Sequence, residues 1–206
     1  MKESIDLLEW YFIRASGATT LLLLTAAIAL GVATHGRWSP ENRPRWVTRE
    51  LHRNIGILAM VFTTMHVLTS VIQSHANVSL GNVLVPLAGT SHSLALALGT
   101  VAVDLFVAIG ITSALRRRIG VRAWRAVHYS SWALWPVAAL HGLTMGTDAW
   151  SWMLIVNGLC LSMFIGALWI RLEQRWPDPQ PPTPPGRRQP PPSARFDVHP
   201  HVPGMR

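Results

Sequence analysis

Half of the 206 residues are apolar and only 14% are charged, well below the roughly 25% usual in soluble domains, so the chain has room for one domain, or for one helical bundle plus a tail. A formal net charge of +8 would suggest nucleic acid in a soluble protein; here the arginines sit in short loops between apolar segments and in the C-terminal stretch, so they read as a topology signal and an attraction to anionic lipid, with no nucleic-acid partner. The single cysteine, Cys160, lies in an apolar run as a small buried residue, and one thiol excludes an intramolecular disulfide, a cysteine zinc cluster, an iron–sulfur centre and a Cys-x-x-Cys-His attachment.

The first ten residues carry Lys2, Glu3, Asp6 and Glu9 and lack the basic n-region of a cleaved signal peptide, so residues 1–10 read as an extracytoplasmic segment. Five apolar segments follow: Tyr11–Val32, Leu51–Ser74, Ser93–Leu115, Ala123–Thr144 and Trp150–Ile170. Each is long enough for a bilayer core, which takes about 20 helical residues. The expected fold is all-α, a polytopic transmembrane bundle of about five helices within residues 11–172.

The connections set the orientation. Arg37, Arg43, Arg45 and Arg49 mark the first, and Arg116, Arg117, Arg118 and Arg122 the third, while the second has no Lys or Arg and the fourth only Asp148. By the positive-inside rule the first and third loops are cytoplasmic, the N-terminus is outside and the C-terminus cytoplasmic. Trp38, Trp46, Trp124 and Trp176 then border one membrane face and Trp10, Trp150 and Trp152 the other. Eleven of the fifteen prolines fall in Pro177–Arg206, so residues 173–206 are expected to be a disordered Pro/Arg-rich cytoplasmic tail. Its His199 and His201 read as solvated rather than metal-binding.

Seven histidines precede that tail, and four of them form a pattern: His52 and His66 in the second segment, His128 and His141 in the fourth. At 1.5 Å per residue, a separation of 14 spans about 21 Å and returns to within roughly 40° of the same helix face. The second pair is separated by 13 positions, which falls about 140° out of phase on an ideal helix, and a kink at Pro136 between them would realign it. Segments two and four both run from cytoplasm to exterior, so His52 lies at the depth of His128, and His66 at that of His141. Two such pairs are what two six-coordinate haems need, one imidazole on each face of the iron from facing helices. The competing reading is four histidines that only hydrogen-bond between helices; polar groups at this depth face the bundle interior in either case.

The stretch Glu50-Leu51-His52-Arg53-Asn54-Ile55-Gly56 with His66, and Trp124-Arg125-Ala126-Val127-His128-Tyr129 with His141-Gly142, resembles the ferric reductase-like transmembrane domain family. That family takes in the membrane parts of ferric reductases and NADPH oxidases and the haem subunit of the periplasmic methionine sulfoxide reductase system. The resemblance covers roughly residues 10–172. It implies two b-type haems with His52, His66, His128 and His141 as axial iron ligands, His52 with His128 on the inner haem and His66 with His141 on the outer. The family core has six helices against five here, leaving open a sixth from a partner. Its full-length reductases append a flavin- and nicotinamide-binding domain, for which the stretch after Trp176 is too short and which no Gly-x-Gly-x-x-Gly loop signals.

Electrons are therefore expected from a separate donor protein or a membrane quinol, and are passed to an extracytoplasmic acceptor. The alternative is a non-catalytic anchor or assembly subunit of a larger complex, with the tail as docking arm. A bacterial plasma (cytoplasmic) membrane is the expected location. Arg53 and Arg125 are candidates to pair with haem propionates, or else belong to the inside-positive flank. Asp104, mid-membrane, reads as a functional group or as a structural partner, with Arg14 the conceivable counterion. His35, His75 and His92 read as surface residues, and Met145–Asp148 as a tight outer turn.

Overall fold

Within a bilayer the chain can satisfy its own N–H and C=O groups only inside a helix or a closed barrel, and long apolar runs of helix formers such as Leu, Ala and Met choose the helix. The computed structural model describes residues 2–34, 45–72, 81, 94–145 and 152–173, and among them are six α-helices and no strand. These are α1 Lys2–Ala33, α2 Arg45–Ile72, α3 Leu94–Ala114, α4 Arg116–His128, α5 Ser131–Met145 and α6 Trp152–Glu173, all within the unit Met1–Arg175. The expected Pro-rich tail, His35, His75, His92 and the turn residues after Met145 lie outside the described residues. Four helices are long and apolar enough to cross a membrane: Asp6–Ala33, Trp46–Ile72, Leu94–Ala114 and Trp152–Glu173. Their outward faces carry large apolar side chains, among them Ile57 and Leu68 on α2 and Ile155 and Ile165 on α6, each more than half exposed. That is the surface a lipid-facing bundle presents and an aqueous one would hide.

The expected fourth crossing, Ala123–Thr144, is not one helix. It divides into α4 and α5 at Tyr129–Ser130, directly after His128. Here the backbone tightens to i→i−3 bonds, with Ser130 N–H to Val127 O at 3.0 Å and Ala133 N–H to Ser130 O at 2.9 Å. Such a 3₁₀ turn winds each residue about 20° further than an α-helix, in the direction that closes the phase gap between His128 and His141. Pro136 stays inside α5, so the realignment expected at the proline begins six residues before it.

The connection from α3 is also helical rather than loop-like. Arg116–Arg118 already belong to α4, and the helix kinks at Gly120, whose φ of 80° and ψ of 162° only glycine adopts without strain. Gly120→Ala is expected to cost about 1–3 kcal/mol. A lowered thermal midpoint in detergent, with Gly158→Ala unchanged as a control facing open space, would register it.

The bundle packs α1 antiparallel to α2, α3 against α5, and α6 against α1. Its core joins Leu21 and Leu24 of α1, Ala102 and Phe106 of α3, and Leu134, Trp135 and Ala139 of α5 with the fully buried Cys160 of α6. Trp135 anchors α5: its indole N–H donates to Thr25 Oγ1 at 2.8 Å, and its ring stacks on Phe164 with centroids 4.2 Å apart. The Arg171 guanidinium reaches the Tyr129 hydroxyl at 3.4 Å, tying the end of α6 to the α4–α5 turn.

Candidate functional site

His52 and His66 stand two levels apart on α2, which faces the α4–α5 path. The His52 and His128 rings lie with centroids 6.1 Å apart, and the His66 and His141 rings 6.4 Å apart. The four side chains thus meet as two pairs, lower with lower and upper with upper, which makes the two histidine ladders parallel. In both pairs the ring planes are close to perpendicular, at 76° and 81°.

Three of the rings are held by helix carbonyls. His52 Nδ1 lies 2.8 Å from Ala27 O, His66 Nδ1 3.0 Å from Ile13 O, and His141 Nδ1 2.7 Å from Ala95 O. A carbonyl oxygen can only accept, so each Nδ1 carries the proton and each Nε2 keeps its lone pair in the neutral ring. Ser16 Oγ approaches His66 Nδ1 at 3.5 Å while donating to Ile13 O at 2.9 Å. His128, the last residue of α4, is oriented by stacking on Trp124, centroids 4.9 Å apart and planes 26° apart. Trp124 is itself covered by Arg116, whose guanidinium carbon sits 4.1 Å from the ring centroid, and its indole N–H points to Ser113 Oγ at 3.3 Å.

The upper pair opens into a cavity of ≈ 310 Å³ between α1, α2, α3 and α5. Its walls are apolar apart from a few groups, among them His66, His141 and Arg14. The Arg14 guanidinium lies over Trp10 at 4.1 Å. Asp104 is exposed on α3. Arg53 is exposed and ion-paired with Glu50 one helical turn away, and Arg125 is exposed as well.

Sequence reasoning missed three glycines. A Cβ at Gly99 would lie 2.6 Å from His141 Cε1, one at Gly17 3.0 Å from His66 Cε1, and one at Gly31 3.4 Å from His52 Cε1. A signal for two of them was present: Gly17 and Gly31 are 14 residues apart, the same interval as His52 and His66, as an antiparallel α1–α2 pair in one register requires.

A membrane-spanning helical bundle with two stacked pairs of imidazoles fits an intramembrane redox carrier. The chain belongs to the ferric reductase like transmembrane component family, whose model matches residues 16–139. That match takes in His52, His66, His128 and the three glycines and ends two positions before His141 (141 − 139 = 2). No curated protein and no solved structure matches the chain. Family membership gives the protein a general role in membrane electron transfer.

Proposed function

We propose that the chain is a dihaem b-type electron-transfer protein of a bacterial plasma membrane. In this reading His52 with His128 and His66 with His141 are the axial ligands of two haems, one near each membrane surface. The observation that carries it is the ring separation. Two iron–nitrogen bonds of about 2 Å, plus roughly 1 Å from each nitrogen to its ring centroid, give a span of about 6 Å. The separations of 6.1 and 6.4 Å match that span. Each pair supplies only two donors, and no group of three or more His, Cys, Asp or Glu side chains occurs among the described residues. Two donors on opposite sides leave the equatorial positions to a porphyrin, which brings four nitrogens of its own.

The haems would supply one-electron carriers at two depths. The chain's own part is to hold them apart, exclude water and tune them. The Nδ1–H···O bonds to Ala27, Ile13 and Ala95 fix the ring tautomer and raise ligand basicity. Mostly apolar walls line the upper site. Arg53 and Arg125, near His52 and His128 in sequence, offer positive charge to propionates at the cytoplasmic end, with the N-terminus outside as the arginine distribution requires. A cytoplasmic donor protein or a membrane quinol delivers electrons, and an acceptor outside the membrane takes them.

The test is a dithionite-reduced minus oxidised spectrum of detergent-purified chain, with haem counted from a pyridine extract. A low-spin b-type signal at about two haems per chain is the expected result. A colourless protein from haem-sufficient cells sinks the proposal and leaves a non-catalytic anchor subunit in its place.

A further inference from the structure

Three of the four paired histidines are bonded to a helix carbonyl, and all three carbonyls stand in the same relation to a glycine. Ile13 is four positions before Gly17, Ala27 four before Gly31, and Ala95 four before Gly99. The relation has a geometric cause. In an α-helix the carbonyl of residue i−4 points at the N–H of residue i, and the Cβ of residue i tilts back over that same turn. Any residue but glycine at position i therefore shields the carbonyl from a side chain approaching across the helix interface. The three glycines lie against the rings at the positions where a Cβ would intrude, 2.6 Å from His141, 3.0 Å from His66 and 3.4 Å from His52. Gly158 and Gly166, on the exposed face of α6, have nothing within 4 Å of such a Cβ.

We infer that Gly17, Gly31 and Gly99 are positioning residues for the imidazoles: by leaving the carbonyls of Ile13, Ala27 and Ala95 uncovered, they let each Nδ1–H dock on a neighbouring helix and aim Nε2 at the paired ring. The inference rests on the haem reading, because the direction of Nε2 matters only if it meets a metal. The carbonyl bonds lock the tautomer and make the ring a stronger donor to iron, a recognised lever on haem potential. Filling the glycine positions should therefore act on the haems in a graded order set by the available space. Gly99 has the least room, Gly17 must displace its neighbour by a few tenths of an ångström, and Gly31 offers ordinary contact distance.

The experiment compares Gly99→Ala, Gly17→Ala and Gly31→Ala with the unaltered chain and with Gly158→Ala. Haem is counted from pyridine extracts, spin state read by electron paramagnetic resonance, and midpoint potentials taken by redox titration. Gly99→Ala is expected to lose one of two haems, or to turn one high-spin, with the other unaffected. Gly17→Ala is expected to keep both and to raise the midpoint of one, because a weakened Nδ1–H···O bond makes the imidazole a poorer donor. Gly31→Ala is expected to raise one midpoint in the same direction as Gly17→Ala but by less, and Gly158→Ala should match the unaltered chain. If Gly99→Ala fails to fold, the one-sided shift in Gly17→Ala decides alone. Two normal haems with unchanged potentials in Gly99→Ala and Gly17→Ala overturn the positioning role while the haem reading stands. An unaltered chain without haem overturns both.

Discussion

His141→Leu is expected to take the haem content from about two per chain to about one, and His52→Leu to do the same. In the proposed reading each iron would have only two protein ligands, from two different elements, and a leucine of similar bulk would leave an apolar gap in place of the imidazole. The diagnostic result lies in the double variants. Groups that serve one site are not additive, while groups at independent sites are. His66→Leu combined with His141→Leu should therefore still retain about one haem, because both changes strike the upper site, where the rings are 6.4 Å apart. His52→Leu combined with His141→Leu strikes both sites and should leave a colourless protein. The reverse pattern, with the first double variant empty and the second holding one haem, would mean that the rings pair diagonally. That outcome contradicts the 6.1 Å contact of His52 with His128.

The vertical order of the four histidines was legible because helix rise and side-chain period are properties of the backbone alone. Fourteen residues on α2 return to one face whatever surrounds them. The path through His128 and His141 was not legible in the same way. Its phase depends on the 3₁₀ turn at Tyr129–Ser130, which no proline or glycine marks; Ser130 caps it by donating from Oγ to Val127 O at 2.6 Å. Pro136 drew attention because proline is the usual cause of a kink. Yet its lost hydrogen bond is absorbed inside α5, where the helix runs on from Ser131 to Met145. The setting of Asp104 was not legible for a related reason. Depth along α3 can be read from sequence position, but which way a residue faces cannot be read when nearly every neighbour is apolar and the helix has no polar stripe to orient it. The glycines opposite the imidazoles were overlooked for want of an obvious role. A glycine in a membrane helix is common, and only its register against a histidine on the next helix distinguishes Gly17 and Gly31 from Gly158 and Gly166.

Trp135→Ala is expected to be the most destabilising single change in the core, at about 2–3 kcal/mol. In a water-soluble protein a buried Trp→Ala costs about 3–5 kcal/mol, part of it the transfer of the ring out of water. In a bilayer that part falls away, because lipid tails are as apolar as the bundle interior, and packing and interhelical hydrogen bonds remain. Trp135 supplies both, stacking on Phe164 of α6 at 4.2 Å and donating to Thr25 of α1 at 2.8 Å. The two contributions separate experimentally. Trp135→Phe keeps an aromatic ring against Phe164 and loses the hydrogen bond, worth about 0.6 kcal/mol on average between membrane helices, together with the packing of the second ring. Thr25→Val removes the same bond from the other side, and with it the bond from Thr25 Oγ1 to Leu21 O, while leaving the indole's packing intact. Thermal midpoints in detergent should therefore fall least for Thr25→Val, more for Trp135→Phe and most for Trp135→Ala. Because α5 carries His141 six residues further on, loss of this anchor should also loosen the upper imidazole pair, and Trp135→Ala should release one haem on heating before the bundle itself unfolds. Equal losses of stability in Trp135→Ala and Trp135→Phe would assign the anchoring of α5 to the hydrogen bond with α1 and the packing of the second ring, and the stack on α6 would then contribute nothing measurable.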